Sequence, residues 1–106
     1  MKGDREAAAV PACVGRLVEA SDAEARNIDE LAHEAGMDHG FSTREELARP
    51  WARVWIARRP RGDLAAFLLA WHVADELHVL NVATAVADRG RGIGTTLLHA
   101  ALAYAA

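Results

Sequence analysis

The sequence predicts an α/β domain of the α+β kind: one strand, two helices, a mostly antiparallel run of three strands, and a closing helix. Three observations carry that prediction. Residues before Pro50 hold two serine-started segments with helical apolar spacing, and residues after it alternate with the period of two that marks strands. A glycine-rich turn at 88–94 then separates the last strand from an apolar-striped helix. A chain of 106 residues, 52% of them apolar, suffices for one core and is too short for two.

Residues 1–11 are charged and alanine-rich up to Pro11 and read as a flexible lead-in, which leaves 12–106 as the domain. In 12–19 (β1), Cys13, Gly15 and Leu17 alternate with Val14, Arg16 and Val18, as in a short edge strand. Cys13 is the single cysteine, so an internal disulfide and a CxxC metal cluster are excluded, and its neighbours Val10, Val14 and Leu17 make it read as a buried structural thiol. Ser21-Asp22-Ala23-Glu24 is a capping box, in which the serine and glutamate side chains satisfy free N–H groups at a helix start. The helix it opens, 22–35 (α1), ends at Gly36 and presents Ala25, Ile28, Leu31, Ala32 and Ala35 as its apolar face. Ser42-Thr43-Arg44-Glu45-Glu46 repeats the capping pattern, and Pro50 bars continuation, giving a short helix 43–48 (α2). The intervening loop carries Met37, His39 and Phe41, for which substrate contact and packing on the core are both open.

Trp51 to Arg58 (β2) alternates, and Pro60-Arg61-Gly62-Asp63 turns the chain, because proline presets one φ and glycine accepts a positive one. Residues 64–74 (β3) are apolar almost without interruption, which predicts a strand covered on both faces. Asp75-Glu76 turns the chain again into 77–84 (β4), and such short turns make the three strands antiparallel neighbours. From Gly92 onward, Ile93, Leu97, Ala101 and Ala105 recur four apart with Leu98 and Leu102 alongside, a helix (α3) that lays one stripe on the sheet. Core packing is the expected role of most of Trp51, Trp55 and Trp71, with an interface the alternative.

The formal net charge of −3 excludes general electrostatic binding of nucleic acid. Residues 1–50 carry 11 acids and 6 bases, whereas 51–106 carry 4 acids and 6 bases, so the half around the glycine turn is mildly basic. The first residues lack the apolar core of a signal peptide, and no apolar run approaches the roughly 20 residues needed to span a bilayer. The expectation is a cytoplasmic protein with neither membrane nor nucleic acid as partner.

The turn Asp88-Arg89-Gly90-Arg91-Gly92-Ile93-Gly94-Thr95 sits where backbone N–H groups at a helix N-terminus lack partners and favour an anion, and two arginines add charge. It reads as a phosphate-binding turn. A P-loop requires lysine and then serine or threonine after its last glycine, whereas Gly94 is followed by Thr95-Thr96. A dinucleotide fingerprint requires G-x-G-x-x-G, but counted from Gly90 the third glycine falls one residue early, and no acid-bearing strand follows. The remaining pattern is Arg89-x-x-Gly92-x-Gly94.

That pattern resembles the acetyl-CoA-binding motif of the GNAT superfamily of N-acetyltransferases. Upstream, Leu80-Asn81-Val82-Ala83-Thr84-Ala85-Val86-Ala87-Asp88-Arg89 resembles the family's central-strand segment, most closely the version in ribosomal-protein alanine acetyltransferases. The order of elements, β1-α1-α2-β2-β3-β4-α3, is also similar over residues 12–106. The resemblance implies a GNAT-like fold, acetyl-CoA as cofactor, and acyl transfer from its thioester to an amine on a small molecule or a protein N-terminus. It implies that the backbone of Val82, Ala83 and Thr84 pairs with the pantetheine arm as an added strand would. It further implies that Arg89, Gly90, Arg91, Gly92, Ile93, Gly94 and Thr95 hold the pyrophosphate. A tight left-handed turn with no ligand is the alternative.

Amine acetylation needs a base, a donor to polarise the carbonyl and an acid for the leaving thiolate. By the family's placement of its base on the strand before the motif, His78 and Glu76 are the catalytic candidates, with an ordinary sheet role for His78 as the alternative. The superfamily continues past this helix with a strand, a helix and two more strands, which commonly bring a tyrosine acid. Those elements are missing here, and Tyr104, the only tyrosine, lies on α3 and is not assigned that role. An exposed sheet edge and apolar surface are therefore expected. Three readings stay open: an acetyltransferase whose site a second copy or partner completes, a non-catalytic CoA-binding or protein-interaction module, and a truncated fragment of a longer acetyltransferase.

Overall fold

The alternation after Pro50 becomes three strands of one sheet in a computed structural model, which describes residues 13–37 and 40–106. The expected lead-in at 1–11 and the loop residue His39 lie outside the described residues. Strands β1 (Cys13–Leu17), β2 (Ala52–Arg58), β3 (Leu64–Val73) and β4 (Glu76–Thr84) lie in the order β1-β2-β3-β4, every neighbouring pair antiparallel. Helices α1 (Asp22–Glu34) and α2 (Thr43–Ala48) come between β1 and β2 in the chain; a 3-10 turn (Val86–Asp88) and α3 (Ile93–Ala105) follow β4.

The helix starts form as the serines predict. Ser21 accepts from the Glu24 N–H at 3.1 Å, and Ser42 accepts from the Glu45 N–H at 3.3 Å. Gly36 stops α1 with φ at +84°, a left-handed value glycine adopts freely. Asp29 of α1 then fixes α2, accepting from the buried Thr43 through both its N–H at 2.8 Å and its hydroxyl at 2.6 Å.

Side-chain size divides the two faces of the sheet. One face presents Val54, Ile56, Phe67 and Leu69 to Ile28, Leu31 and Ala32 of α1. The other presents Trp55, Leu68 and the small residues Ala57, Ala65, Ala66 and Ala70 to Ile93, Leu97 and Ala101 of α3. Residues 65–70 of β3 are buried without a break, as expected of a strand covered on both sides. Phe41 stacks on Phe67 at 5.6 Å between ring centroids and Met37 packs on the same cluster, so both described apolar side chains of that loop join the core.

Some expectations need correction. Cys13 is exposed, because β1 is an edge strand and its first residue has little to pack against. Ala35 and Ala105 lie beyond the reach of the sheet and are exposed; of the tryptophans, Trp55 and Trp71 pack on the core, as expected of most of them, and Trp51 is exposed. The β3–β4 turn is Ala74-Asp75 rather than Asp75-Glu76. The expected apolar surface is present: Val79, Leu80 and Val82 of β4, and Leu98 and Leu102 of α3, are exposed.

The register of β4 carries one irregularity. Leu69 faces Asn81 but Ala70 faces Val79, so Leu80 is an extra residue, a β-bulge. Because side chains alternate, the bulge reverses which residues share a face. Ala83 and Asn81 point to the α1 side above it; below it, His78, opposite Trp71, and Glu76, opposite Val73, take that side.

Ala74 has φ of +56°, a conformation that costs a residue with a Cβ about 1–2 kcal/mol. Ala74→Gly is expected to raise stability by about 0.5–1 kcal/mol after the extra chain entropy of glycine is subtracted. Urea denaturation reads this as a higher midpoint with an unchanged slope.

Candidate functional site

Helix α3 starts unlike the other two. Its N-cap, Gly92, has φ of +76° and provides no side-chain bond to the first turn. The first helical bond runs from the Thr96 N–H to Gly92 O at 3.0 Å, so the amides of Ile93, Gly94 and Thr95 precede any helical acceptor. Those amides, at the positive end of the helix, suit an oxyanion. Gly90, at φ of +82°, gives the turn its second left-handed residue, and neither Gly90 nor Gly92 has any atom packed where a Cβ would stand.

The turn and the end of β4 converge. A Cβ on Gly94 would touch Val82 Cγ1 at 3.6 Å and Thr84 Oγ1 at 3.8 Å, so the first turn of α3 lies against the residues expected to pair with the pantetheine arm. Ala83 is buried with the α1 face, Val82 is exposed, and Ile93 contributes its amide only, since its side chain is in the core. Among the described residues β4 has no strand on its outer side, which leaves outward backbone groups available to an extended ligand.

The arginines contribute more to the shape of the turn than composition indicates. Arg89 folds back, its Nε donating to Thr84 O at 3.0 Å, so that carbonyl already has one partner. Arg91 Nη1 lies 3.9 Å from Asp88 Oδ1. Asp88, 3% exposed, is bound by Arg59 of the β2–β3 hairpin, whose Nε reaches Oδ2 at 3.0 Å and whose Nη2 donates to the same oxygen. The Arg59 guanidinium also binds the Asp63 carboxylate. This group of Arg59, Asp63 and Asp88 was not visible as a site in the sequence; its only traces were the turn at 60–63 and an acid immediately before the glycine motif. The hydrogen bond to Asp88, and then that to Asp63, holds the Arg59 pKa above its ordinary value despite partial burial. The bond from Arg59 likewise holds Asp63 below the ordinary aspartate value.

His78 and Glu76 come together. His78 Nε2 lies 3.0 Å from Glu76 Oε1, and the side chains are 53% and 74% exposed, two residues and four residues before the bulge at Leu80. They share their face with Trp71, whose Nε1 donates to Glu46 Oε1 at 2.9 Å and whose ring lies beneath the Arg49 guanidinium at 5.9 Å. Counted along β4 at about 3.3 Å per residue, His78 is about 20 Å from Thr84. Tyr104 is on the opposite face, where its hydroxyl accepts from Arg53 Nε at 2.9 Å and lies 2.7 Å from His72 Nδ1, so it does not meet the His78–Glu76 pair. No helix among the described residues is long and apolar enough to cross a membrane.

A family model described as the acetyltransferase (GNAT) family matches residues 18–106. An aminoglycoside acetyltransferase from an uncultured soil metagenomic sample, solved with sisomicin, superposes with a TM-score of 0.71 at 15% identity, over 88% of this chain and 68% of that one. YhhK from E. coli, solved bound to coenzyme A, gives 0.66 at 19% identity over 90% and 69%. BH1408 from Bacillus halodurans, as a tetramutant, gives 0.66 at 14% over 87% and 74%. At these identities the structures establish the α/β fold with its antiparallel sheet.

Because Asp63 has a lowered folded-state pKa, its contribution to stability is present above its unfolded value and is lost as pH falls through the folded value. NMR titration of the Asp63 carboxyl is expected to give a midpoint below the ordinary aspartate value of about 4. Arg59→Gln is expected to return that midpoint to the ordinary range.

Proposed function

The chain belongs to the acetyltransferase (GNAT) family, and from that premise we propose that it is an acetyl-CoA-dependent N-acetyltransferase acting on an amine. The observation that carries the reading is the uncapped first turn of α3 lying against the outer end of β4. Open amides at Ile93, Gly94 and Thr95, with nothing packed on Gly90 and Gly92, fit a pyrophosphate approaching the backbone. Arg89 and Arg91 add positive charge beside it, and Val82, Ala83 and Thr84 offer an open strand edge to the pantetheine arm.

When bound, acetyl-CoA supplies the activated acetyl thioester. His78 is the base that takes the proton of the incoming amine, and Glu76, 3.0 Å from its Nε2, orients the imidazole. With Nε2–H directed at Glu76, Nδ1 holds the accepting lone pair. The pair's exposure leaves it open to an acceptor arriving over the α1–α2 face. The similarity of residues 80–89 to ribosomal-protein alanine acetyltransferases favours a protein N-terminal amine, and a small-molecule amine is the other acceptor class. A cytoplasmic location accords with either.

The exposed apolar residues Val79, Leu80, Val82, Leu98 and Leu102 favour a second reading, in which this surface meets a second copy or another protein that completes the site or replaces catalysis. Size-exclusion chromatography separates the two, since a well-behaved monomer that turns over excludes a shared site.

Calorimetry is expected to show acetyl-CoA binding by the chain and none by Gly92→Asp, whose carboxylate would stand where the anion is received; equal affinity would sink the assignment of the turn. In a thiol-release assay with a panel of amines, His78→Gln is expected to lower kcat by about 100-fold or more at an acetyl-CoA KM changed by no more than about twofold. A wild-type rate in that variant removes His78 as the base.

A further inference from the structure

Asp88 is the only charged residue that is buried among the described residues. A carboxylate out of water must be paired, and removing its partner leaves a costly bare charge. The partner here comes from 29 residues away: Arg59 Nε reaches Asp88 Oδ2 at 3.0 Å and Oδ1 at 3.3 Å, with Nη2 donating as well. Arg59 is itself held on three sides by its own hairpin. Its N–H donates to Asp63 O at 2.8 Å, its carbonyl accepts from the Gly62 N–H at 2.7 Å, and its guanidinium binds the Asp63 carboxylate. The arginine is thus a strut from the β2–β3 hairpin to the root of the glycine turn.

The turn has little else to define it. Gly90 and Gly92 are left-handed and unpacked, so the shape between them is set from the two ends, by the buried Ile93 on one side and by Asp88 on the other. A cavity of about 300 Å³, lined by Arg59, Arg61, Asp88, Arg91 and Ile93 among others, adjoins the turn and gives it room to move. Without Arg59, Asp88 would keep only Arg91, now 3.9 Å away, and pairing more closely would draw Arg91 and its amide across the turn.

We infer that Arg59 is a positioning residue for cofactor binding: through Asp88 it fixes how the amides of residues 90–95 are presented. The inference rests on the reading that this turn holds the cofactor's pyrophosphate. It concerns a residue outside the glycine motif, on a hairpin that contributes nothing else to the proposed site.

The test compares Arg59→Gln, Arg59→Lys and Asp88→Asn with Arg61→Gln, whose guanidinium is exposed and only 3.6 Å from Asp63. Titration with coenzyme A is expected to show affinity weakened about tenfold or more in Arg59→Gln and Asp88→Asn, partly recovered in Arg59→Lys and unchanged in Arg61→Gln; the double variant Arg59→Gln/Asp88→Asn should lose no more than its worse parent, since both act through one contact. In the free protein, NMR amide shifts at 89–95 should move in Arg59→Gln while those of α1 and α2 stay, a pattern that general destabilisation does not produce. Unchanged coenzyme A affinity in a folded Arg59→Gln, or additive losses in the double variant, overturns the inference. Should Arg59→Gln not fold, Arg59→Lys and Asp88→Asn supply the same comparison. Failure of the wild-type chain to bind coenzyme A overturns the cofactor reading instead, and the amide shifts of the free protein then decide alone whether Arg59 sets the turn.

Discussion

The close approach of α3 to the sheet is the constraint on which the rest of the structure depends. Ala57, Ala65, Ala66 and Ala70 lower the surface of β2 and β3, and Ile93, Leu97 and Ala101 fill the space they leave. Larger side chains there would lift the helix, and with it the amides at its start. At Gly94 a Cβ would meet Val82 and Thr84 at ordinary contact distance, so the first turn of the helix lies directly beside the end of β4. Packing in the middle of the domain therefore sets the geometry at its edge, and the bulky residues are kept on the other face, where α1 and α2 cover Phe67, Leu69 and Ile56.

Much of this was legible in the sequence because it is written in local signals. Ser21 and Ser42 name the helix starts, Gly36 a stop, and the run 64–70 a strand with two covered faces. The strand-to-helix turn at 88–95 was legible through its glycines, two of which take left-handed φ. What stayed hidden depends on contacts distant in sequence or on register. Nothing local ties Arg59 to Asp88, since partners 29 residues apart carry no periodic signature. Cys13 sits in an apolar context that predicts burial, yet the edge position of its strand overrides that context. The Ala74-Asp75 turn lacks the glycine or asparagine that would have located it.

Charge is allotted differently from what a count of arginines indicates. Around the glycine turn, Arg89 is engaged with a carbonyl, Arg59 with two carboxylates, and Arg91 is drawn toward Asp88. The arginine side chains around the turn are thus held by the fold, although Arg89 keeps its charge, and the amides at the start of α3 are donors left open to an anion. Such donors are fixed in place before a ligand arrives, whereas a free arginine side chain would have to be ordered on binding. On the proposed reading, selectivity for a pyrophosphate would come from the shape of the turn more than from its net charge.

The bulge at Leu80 bears on how this strand can change over time. Because it reverses the alternation of side chains, it divides β4 into two segments of opposite phase, so that residues an odd number of positions apart, such as Asn81 and His78, share a face. Loss of Leu80 would restore an unbroken ladder and leave His78 and Glu76 opposite Trp71 and Val73, but one position nearer the glycine motif in the sequence. Counting back from the glycine motif without a gap would then place the equivalents of those two residues on the wrong face. In this fold, a one-residue gap before the glycine motif carries as much chemical meaning as the residues it separates.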